Sequence, residues 1–163
     1  MFAVPTAVPI IGLAGCVLAA AHCDARALRI PNRLSAAILG LFGVYAALEL
    51  TPQAAFVALA LAAATLLLAF LAFTRGWLGG GDAKLLAACM AWAGPTYALE
   101  FIAVTALAGG LVAVALILPL TARAAAAVRR DWPETAVGGK AAMPYGVAIA
   151  AGALAVVARL LGA

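Results

Sequence analysis

The sequence predicts an all-α, polytopic membrane protein with about six transmembrane helices and its N-terminus outside. Of its 163 residues, 68% are hydrophobic and only 10% are charged, and the mean hydropathy is +1.18. Ordinary soluble domains contain roughly 45–50% apolar residues, so a soluble fold would leave too much apolar surface in water. The apolar residues also form long runs separated by short polar or Gly/Pro-containing segments. We therefore expect a single membrane-embedded domain over residues 1–163.

The first apolar run covers residues 4–21 and has two possible interpretations. Leu13-Ala14-Gly15-Cys16 resembles a lipoprotein cleavage box, which would make the run a signal peptide. However, no Lys or Arg precedes the run, and the sequence stays apolar beyond Cys16. These two features favour a first membrane span that is retained.

The second and third spans follow recognisable breaks. A polar segment, residues 24–33, ends at Ile30-Pro31-Asn32, and Pro31 suits a turn or the first turn of the next helix. The second span is predicted over residues 34–50. Thr51-Pro52 then interrupts the apolar run, and the third span is predicted over residues 54–73.

The fourth apolar run, residues 83–93, is short for a membrane crossing, which usually needs about 20 residues. It is either re-entrant, or it begins below the membrane surface with Asp82 partly submerged. We favour the second alternative because polar backbone is tolerated at that depth where it lines a wet cavity. Gly94-Pro95 ends the run, and the fifth and sixth spans are predicted over residues 97–120 and 143–161.

The basic residues indicate the orientation of these spans. With the N-terminus outside, residues 23–33, 74–83 and 121–142 form the cytoplasmic loops. These loops and their edges hold nine of the ten basic residues: Arg26, Arg29, Arg33, Arg75, Lys84, Arg123, Arg129, Arg130 and Lys140. Only Arg159 falls on the other side, so the positive-inside rule supports this topology. It also places Asp24 and Asp82 at the same, cytoplasmic edge.

Two acids at one edge of a membrane domain suggest acid–base chemistry. An acid beside hydrocarbon is costly and is by default a functional hypothesis. Two nearby carboxylates in a poorly hydrated site share one proton, so that one can donate while the other accepts. A water held between them can attack a peptide carbonyl without a metal or a covalent intermediate. The alternatives are a plain glycine loop around Asp82, and for Asp24 a helix-end acid paired with Arg26 or Arg29.

Other chemistries find little support in the sequence. Cys16, Cys23 and Cys89 form no CxxC motif and no ligand cluster with the sole histidine, His22, so no metal site, disulfide framework or cofactor is predicted. The net charge of +4 comes from basic residues scattered through short loops, which is typical of topology signals. Nucleic-acid binding is therefore not expected.

The segments that carry the two acids resemble a known family. Gly79-Gly80-Gly81-Asp82-Ala83-Lys84 is similar to the GxGD motif of intramembrane aspartyl proteases, in the form found in type IV prepilin peptidases. Asp24, with the Arg26, Arg29 and Ile30-Pro31-Asn32 that follow it, resembles the first aspartate segment of that family. The length is similar to the short branch associated with Flp/Tad-type pili, the CpaA/TadV group.

This resemblance implies an aspartic endopeptidase of the bacterial inner membrane with Asp24 and Asp82 as the catalytic pair. The substrate would be a prepilin or pseudopilin precursor, cut on the cytoplasmic side just before its hydrophobic helix. Larger members carry a cytoplasmic segment with paired cysteines that is associated with N-methylation. The first polar segment here has no CxxC, so we expect peptidase activity alone.

Several neighbours are candidates for a supporting role. Gly79 and Gly81 would allow tight bending and close approach beside Asp82. Lys84 either tunes the potential of the site or extends to lipid headgroups. Pro144-Tyr145-Gly146, at the start of the last span, resembles a family segment near the active site, although Tyr145 also fits an interfacial aromatic belt.

Two other functions remain open at this stage. The acids could form the relay of a proton- or ion-coupled carrier, although such relays lie near the bilayer midplane within paired repeats. No convincing repeat is present, and both acids lie toward one edge. The chain could also be an inactive relative that serves as a scaffold for pilus assembly. Its oligomeric state is not predicted.

Overall fold

The structure is a computed structural model that describes residues 4–117 and 143–162. Within these residues the chain forms five α-helices and no strand: α1 (Val4–Ala27), α2 (Asn32–Glu49), α3 (Pro52–Thr74), α4 (Gly80–Ile117) and α5 (Tyr145–Gly162). The all-α prediction is thus confirmed for the described chain. The basic loop predicted at residues 121–142 lies outside the described residues.

The helix starts follow from local sequence. Pro31, with φ −62° and ψ 132°, directly precedes α2 and holds the backbone extended there. At α3 the Thr51 hydroxyl accepts a hydrogen bond of 3.2 Å from the N–H of Ala54, and Pro52 occupies the first helical position. Both helices therefore begin within about two residues of their predicted starts.

The first helix is longer than predicted. It continues through the segment that we expected to be a polar loop and ends only at Ala27. Leu28 then adopts a positive φ of 50° and donates its N–H to the carbonyl of Asp24 at 2.9 Å. No Gly or Pro lies between Ala21 and Ala27, so nothing breaks the helix where its residues become polar. Asp24 consequently lies in a helix.

The fourth and fifth predicted spans are the two arms of α4. Gly94 has non-helical angles (φ 52°, ψ −169°), and Pro95 follows it. A straight helix of these 38 residues would be about 57 Å long, with its two arms far apart. Instead, Leu86 in the first arm and Gly109 in the second border the same cavity. The chain therefore turns back at Gly94, and the two arms lie alongside each other.

Among the described residues, four helices are long and apolar enough to cross a membrane. They are α1 from Thr6 onward, α3, α4 counted as one helix, and α5. The described chain thus fits a protein that crosses the membrane several times, while the count of six and the external N-terminus remain predictions. Large side chains such as Phe56, Leu67 and Leu68 point outward from α3, as expected for a helix that faces lipid.

Helix α4 is the centre of the packing, because it contacts α5, α3 and α2, while α1 packs against α5 and α2. The indole N–H of Trp92 donates to the buried carbonyl of Ile38 at 3.0 Å, and the ring stacks on Tyr45 at 5.1 Å. An exposed ion pair of 3.0 Å joins Glu100 in α4 to Arg159 in α5. These contacts hold α4, whose first turn carries Asp82, against α2 and α5.

Candidate active site

Asp24 lies near the end of α1, where neighbouring helices cover it. It is 3% exposed. Its Oδ2 accepts a hydrogen bond of 2.6 Å from the backbone N–H of Gly146, in the first turn of α5. The free N–H groups of a helix start favour a negatively charged partner. This contact therefore fixes the orientation of the Asp24 carboxyl group.

Gly146 can make this contact only because it has no side chain. A Cβ at this position would lie 2.9 Å from Cβ and Oδ2 of Asp24 and 2.9 Å from Cδ1 of Ile30. Such distances are too short for carbon atoms in a folded protein, so any larger residue would push α5 away from the acid. The close approach of α5 to Asp24 therefore requires glycine at position 146.

Asp82 lies in the first turn of α4 and is 8% exposed. The backbone just before the helix folds over its carboxyl group, since a Cβ on Gly79 would lie only 2.5 Å from Oδ2 of Asp82. The other carboxyl oxygen, Oδ1, is buried and has no hydrogen-bond partner among the described residues. An unpaired buried oxygen is costly in a folded protein and needs an explanation.

Both aspartates border one cavity of about 450 Å³. Its walls are the end of α1, the connection from Leu28 to Asn32, and residues 79–81 before Asp82. Gly81 packs closely on Ile30, because a Cβ there would lie 3.2 Å from the Ile30 Cβ. The structure thus brings together the two acids that the sequence placed at the same edge. They are also the only buried acids within residues 6–116 and 143–162.

Comparison with known protein families gives one decisive finding. A family model described as the type IV leader peptidase family matches residues 11–114. The chain belongs to the type IV leader peptidase family. Comparisons with curated proteins and with solved structures gave no match.

Membership of this family gives the leader peptidase its general function. It is a protease of prepilin-type proteins, and its apolar helices make it a multi-pass membrane protein. The matched residues contain both aspartates and the glycines before Asp82. The resemblance to the family is therefore confirmed, whereas membership of the short CpaA/TadV branch remains a prediction.

The structure places Lys84 outside the cavity of the two acids. Its exposed ammonium group donates a hydrogen bond of 2.9 Å to Oδ1 of Asn32, at the start of α2. This bond connects the segment that carries Asp82 to the Ile30-Pro31-Asn32 segment. The two roles expected for Lys84 stay predictions, and the contact shows that its side chain joins two segments that line the cavity.

The residues of the Pro144-Tyr145-Gly146 segment lie at two different sites. Pro144 is buried just before α5, and Gly146 contacts Asp24. Tyr145 instead borders a second cavity, which lies between α3, α4 and α5. The segment lies beyond residues 11–114, so its place beside Asp24 comes from the geometry rather than from the family match.

Sequence reasoning did not place Ile30 and Asn32 individually in the lining of the cavity. Both line the cavity, Ile30 against Gly81 and Asn32 as the acceptor for Lys84. The only indication in the sequence was that Ile30-Pro31-Asn32 belongs to a segment that resembles the first aspartate segment of the family. Within the described residues, no group of three His, Cys, Asp or Glu side chains is placed to hold a metal ion.

Proposed function

We propose that this leader peptidase is an aspartic endopeptidase in which Asp24 and Asp82 form the catalytic pair. The observation that carries the proposal is that the only buried acids of the described chain border the same cavity. Burying a carboxyl group costs free energy unless it is hydrogen-bonded or paired with an opposite charge. Among the described contacts, no cation is hydrogen-bonded to either acid. Burying these two acids therefore does not serve the stability of the fold.

The arrangement supports attack by a water on the scissile carbonyl. The cavity is large enough for water and an extended peptide backbone, and Oδ1 of Asp82 is unpaired beside it. One carboxylate would remove a proton from the attacking water while the other, protonated acid gives its proton to the carbonyl oxygen. As the C–N bond breaks, the first acid gives the water's proton to the leaving amine and the second takes a proton back from the tetrahedral diol, which restores the starting state. The hydrogen bond from Gly146 keeps Asp24 in a fixed position throughout this exchange.

We further propose that cleavage takes place at the cytoplasmic face of the inner membrane. Arg26, Arg29 and Arg75 are exposed at the end of the helix bundle that carries the two acids, and the positive-inside rule assigns such an end to the cytoplasm. The substrate would be a type IV prepilin of the Flp/Tad kind, with its basic leader in the cytoplasm. We infer that the enzyme has peptidase activity alone, because the sequence contains no paired cysteines.

The test is leader removal from a prepilin in membranes that contain the wild type, Asp24→Asn or Asp82→Asn. The mass of both products identifies the bond that is cut. Glu100→Gln is a matched control, because it also replaces a carboxylate with an amide but lies in the ion pair with Arg159. We expect cleavage by the wild type and Glu100→Gln only, and full cleavage by either Asp variant would reject the proposal.

A further inference from the structure

A second cavity lies next to the cavity of the two acids but contains neither of them. It has a volume of about 600 Å³ and is bordered by α3, both arms of α4 and the start of α5. Most of its lining is apolar and includes Met90, Gly110 and Ile149, while Thr65 and Thr105 add hydroxyl-bearing side chains beside Tyr145. We call it the apolar groove. The peptide-cutting chemistry proposed above does not use it.

The apolar groove begins beside both catalytic candidates. Leu78 and Tyr145 line it, and each directly precedes a glycine that contacts an acid. Gly79 lies against Asp82, and Gly146 lies against Asp24. A chain whose backbone passes between the two acids can therefore continue into the groove within a few residues.

The groove is also open to the side. Leu68 on α3 and Ile102 on α4 line it and are 67% and 52% exposed. Both helices are apolar enough to span a membrane, so this opening faces the hydrocarbon region of the bilayer. An apolar segment that already lies in the membrane can enter the groove without passing through water.

The floor of the groove suits a helix. Ala106 and Gly110, about one turn apart on the second arm of α4, are exposed there, while Gly109 beside them packs against Ala148 of α5. Helices associate within membranes through small residues that let their backbones approach closely, whereas lipid chains have no such requirement. A helix seated here would have its N-terminal end beside the two acids.

We propose that the apolar groove binds the hydrophobic helix that follows the cleavage site of a prepilin-type substrate. The assignment rests on the proposed function and specifies how the substrate is held. The helix remains within the bilayer in the groove, while the polar backbone at the scissile bond enters the wet cavity of the acids. Binding energy from the helix then positions a bond that does not itself touch the groove.

Filling the groove tests this assignment. A Cβ on Gly110 meets no atom within 4 Å, so Gly110→Leu is compatible with the fold but occupies the floor. Gly40 on α2 is equally open and lies outside the groove, which makes Gly40→Leu the control. The substrates are a full prepilin and a soluble peptide that spans the cleavage site without the hydrophobic helix.

We expect Gly110→Leu to lower the ratio of kcat/KM for the prepilin to kcat/KM for the peptide by about tenfold. This loss should lie mainly in KM, and Gly40→Leu should leave the ratio unchanged. An unchanged ratio in Gly110→Leu would overturn the assignment, as would an equal fall in Gly40→Leu.

A binding measurement separates this proposal from the proposed function. A photoreactive residue replaces Gly110 in a chain that also carries Asp82→Asn, and the membranes contain the prepilin. A crosslink to the prepilin helix supports the groove even if the wild type cuts nothing, in which case only the peptidase assignment falls. Crosslinks only to lipid or to a second copy of this chain would overturn the groove assignment, and cleavage of the prepilin by the wild type would then leave the proposed function standing.

Discussion

Gly146 and Asp24 are 122 positions apart in the sequence, yet the N–H of Gly146 donates a 2.6 Å hydrogen bond to Oδ2 of Asp24. The contact brings the last helix onto the end of the first. It leaves no room for a Cβ on Gly146, so the position of α5 and the position of the acid depend on each other.

The first prediction concerns this contact. Gly146→Ala places a methyl group 2.9 Å from Asp24 and Ile30, which displaces the carboxyl group while keeping the backbone N–H. A displacement on the order of 1 Å can cost about 100-fold in rate, so we expect a loss of that order in kcat for prepilin cleavage. Gly162→Ala on the same helix has free space around its Cβ and should cleave at the wild-type rate. Equal rates for the two variants would contradict the role of Gly146.

The second prediction separates two adjacent glycines. In Gly79→Ala the new methyl group would lie 2.5 Å from Oδ2 of Asp82, whereas in Gly80→Ala it lies 3.4 Å from the ring of Phe73. We expect kcat to fall by more than about tenfold in Gly79→Ala and to change little in Gly80→Ala. Initial rates at saturating prepilin measure both. A larger effect at Gly80 would show that Asp82 is not held as described.

The third prediction concerns the hydrogen bond from Lys84 to Asn32. Lys84→Met and Asn32→Ala each remove it, so we expect the free energy of unfolding in detergent to fall by up to about 1 kcal/mol in each variant. Because both variants lose the same contact, the double variant should be little worse than either one. A double variant whose loss equals the sum of the two single losses would mean that the residues act independently.

The fourth prediction concerns stability away from the acids. Trp92→Phe keeps an aromatic ring against Tyr45 but removes the donor to the Ile38 carbonyl. We expect the free energy of unfolding in detergent to fall by about 1 kcal/mol. Trp77→Phe is the control, because Trp77 is 69% exposed and its replacement should change this free energy by less than about 0.5 kcal/mol. Equal losses in the two variants would contradict the packing role of Trp92.

Much of the fold could be predicted because lipid imposes strong rules on sequence. Long apolar runs and the breaks at Pro31 and Thr51-Pro52 gave the starts of α2 and α3, since a helix in hydrocarbon must satisfy its own backbone. The end of α1 could not be predicted in this way. Residues 22–27 are more polar than the run before them, but polarity does not end a helix when no Gly or Pro intervenes.

The two acids were predictable as a pair, whereas their surroundings were not. The distribution of basic residues places Asp24 and Asp82 at one edge. By contrast, the contact of Gly146 with Asp24 and the bond from Lys84 to Asn32 join positions 122 and 52 apart. Such contacts depend on how the helices pack, and the spacing of residues within one segment carries no information about them.

The central claim is that Asp24 and Asp82 act together in cutting the substrate. Its most direct test is the initial rate of prepilin cleavage in membranes that hold equal amounts of the wild type, Asp24→Asn and Asp82→Asn. Loss of a general acid or base typically lowers the rate by about 100- to 10,000-fold. We therefore expect the initial rate to fall by at least about 100-fold in each variant. A rate within tenfold of the wild type in either one would contradict the account.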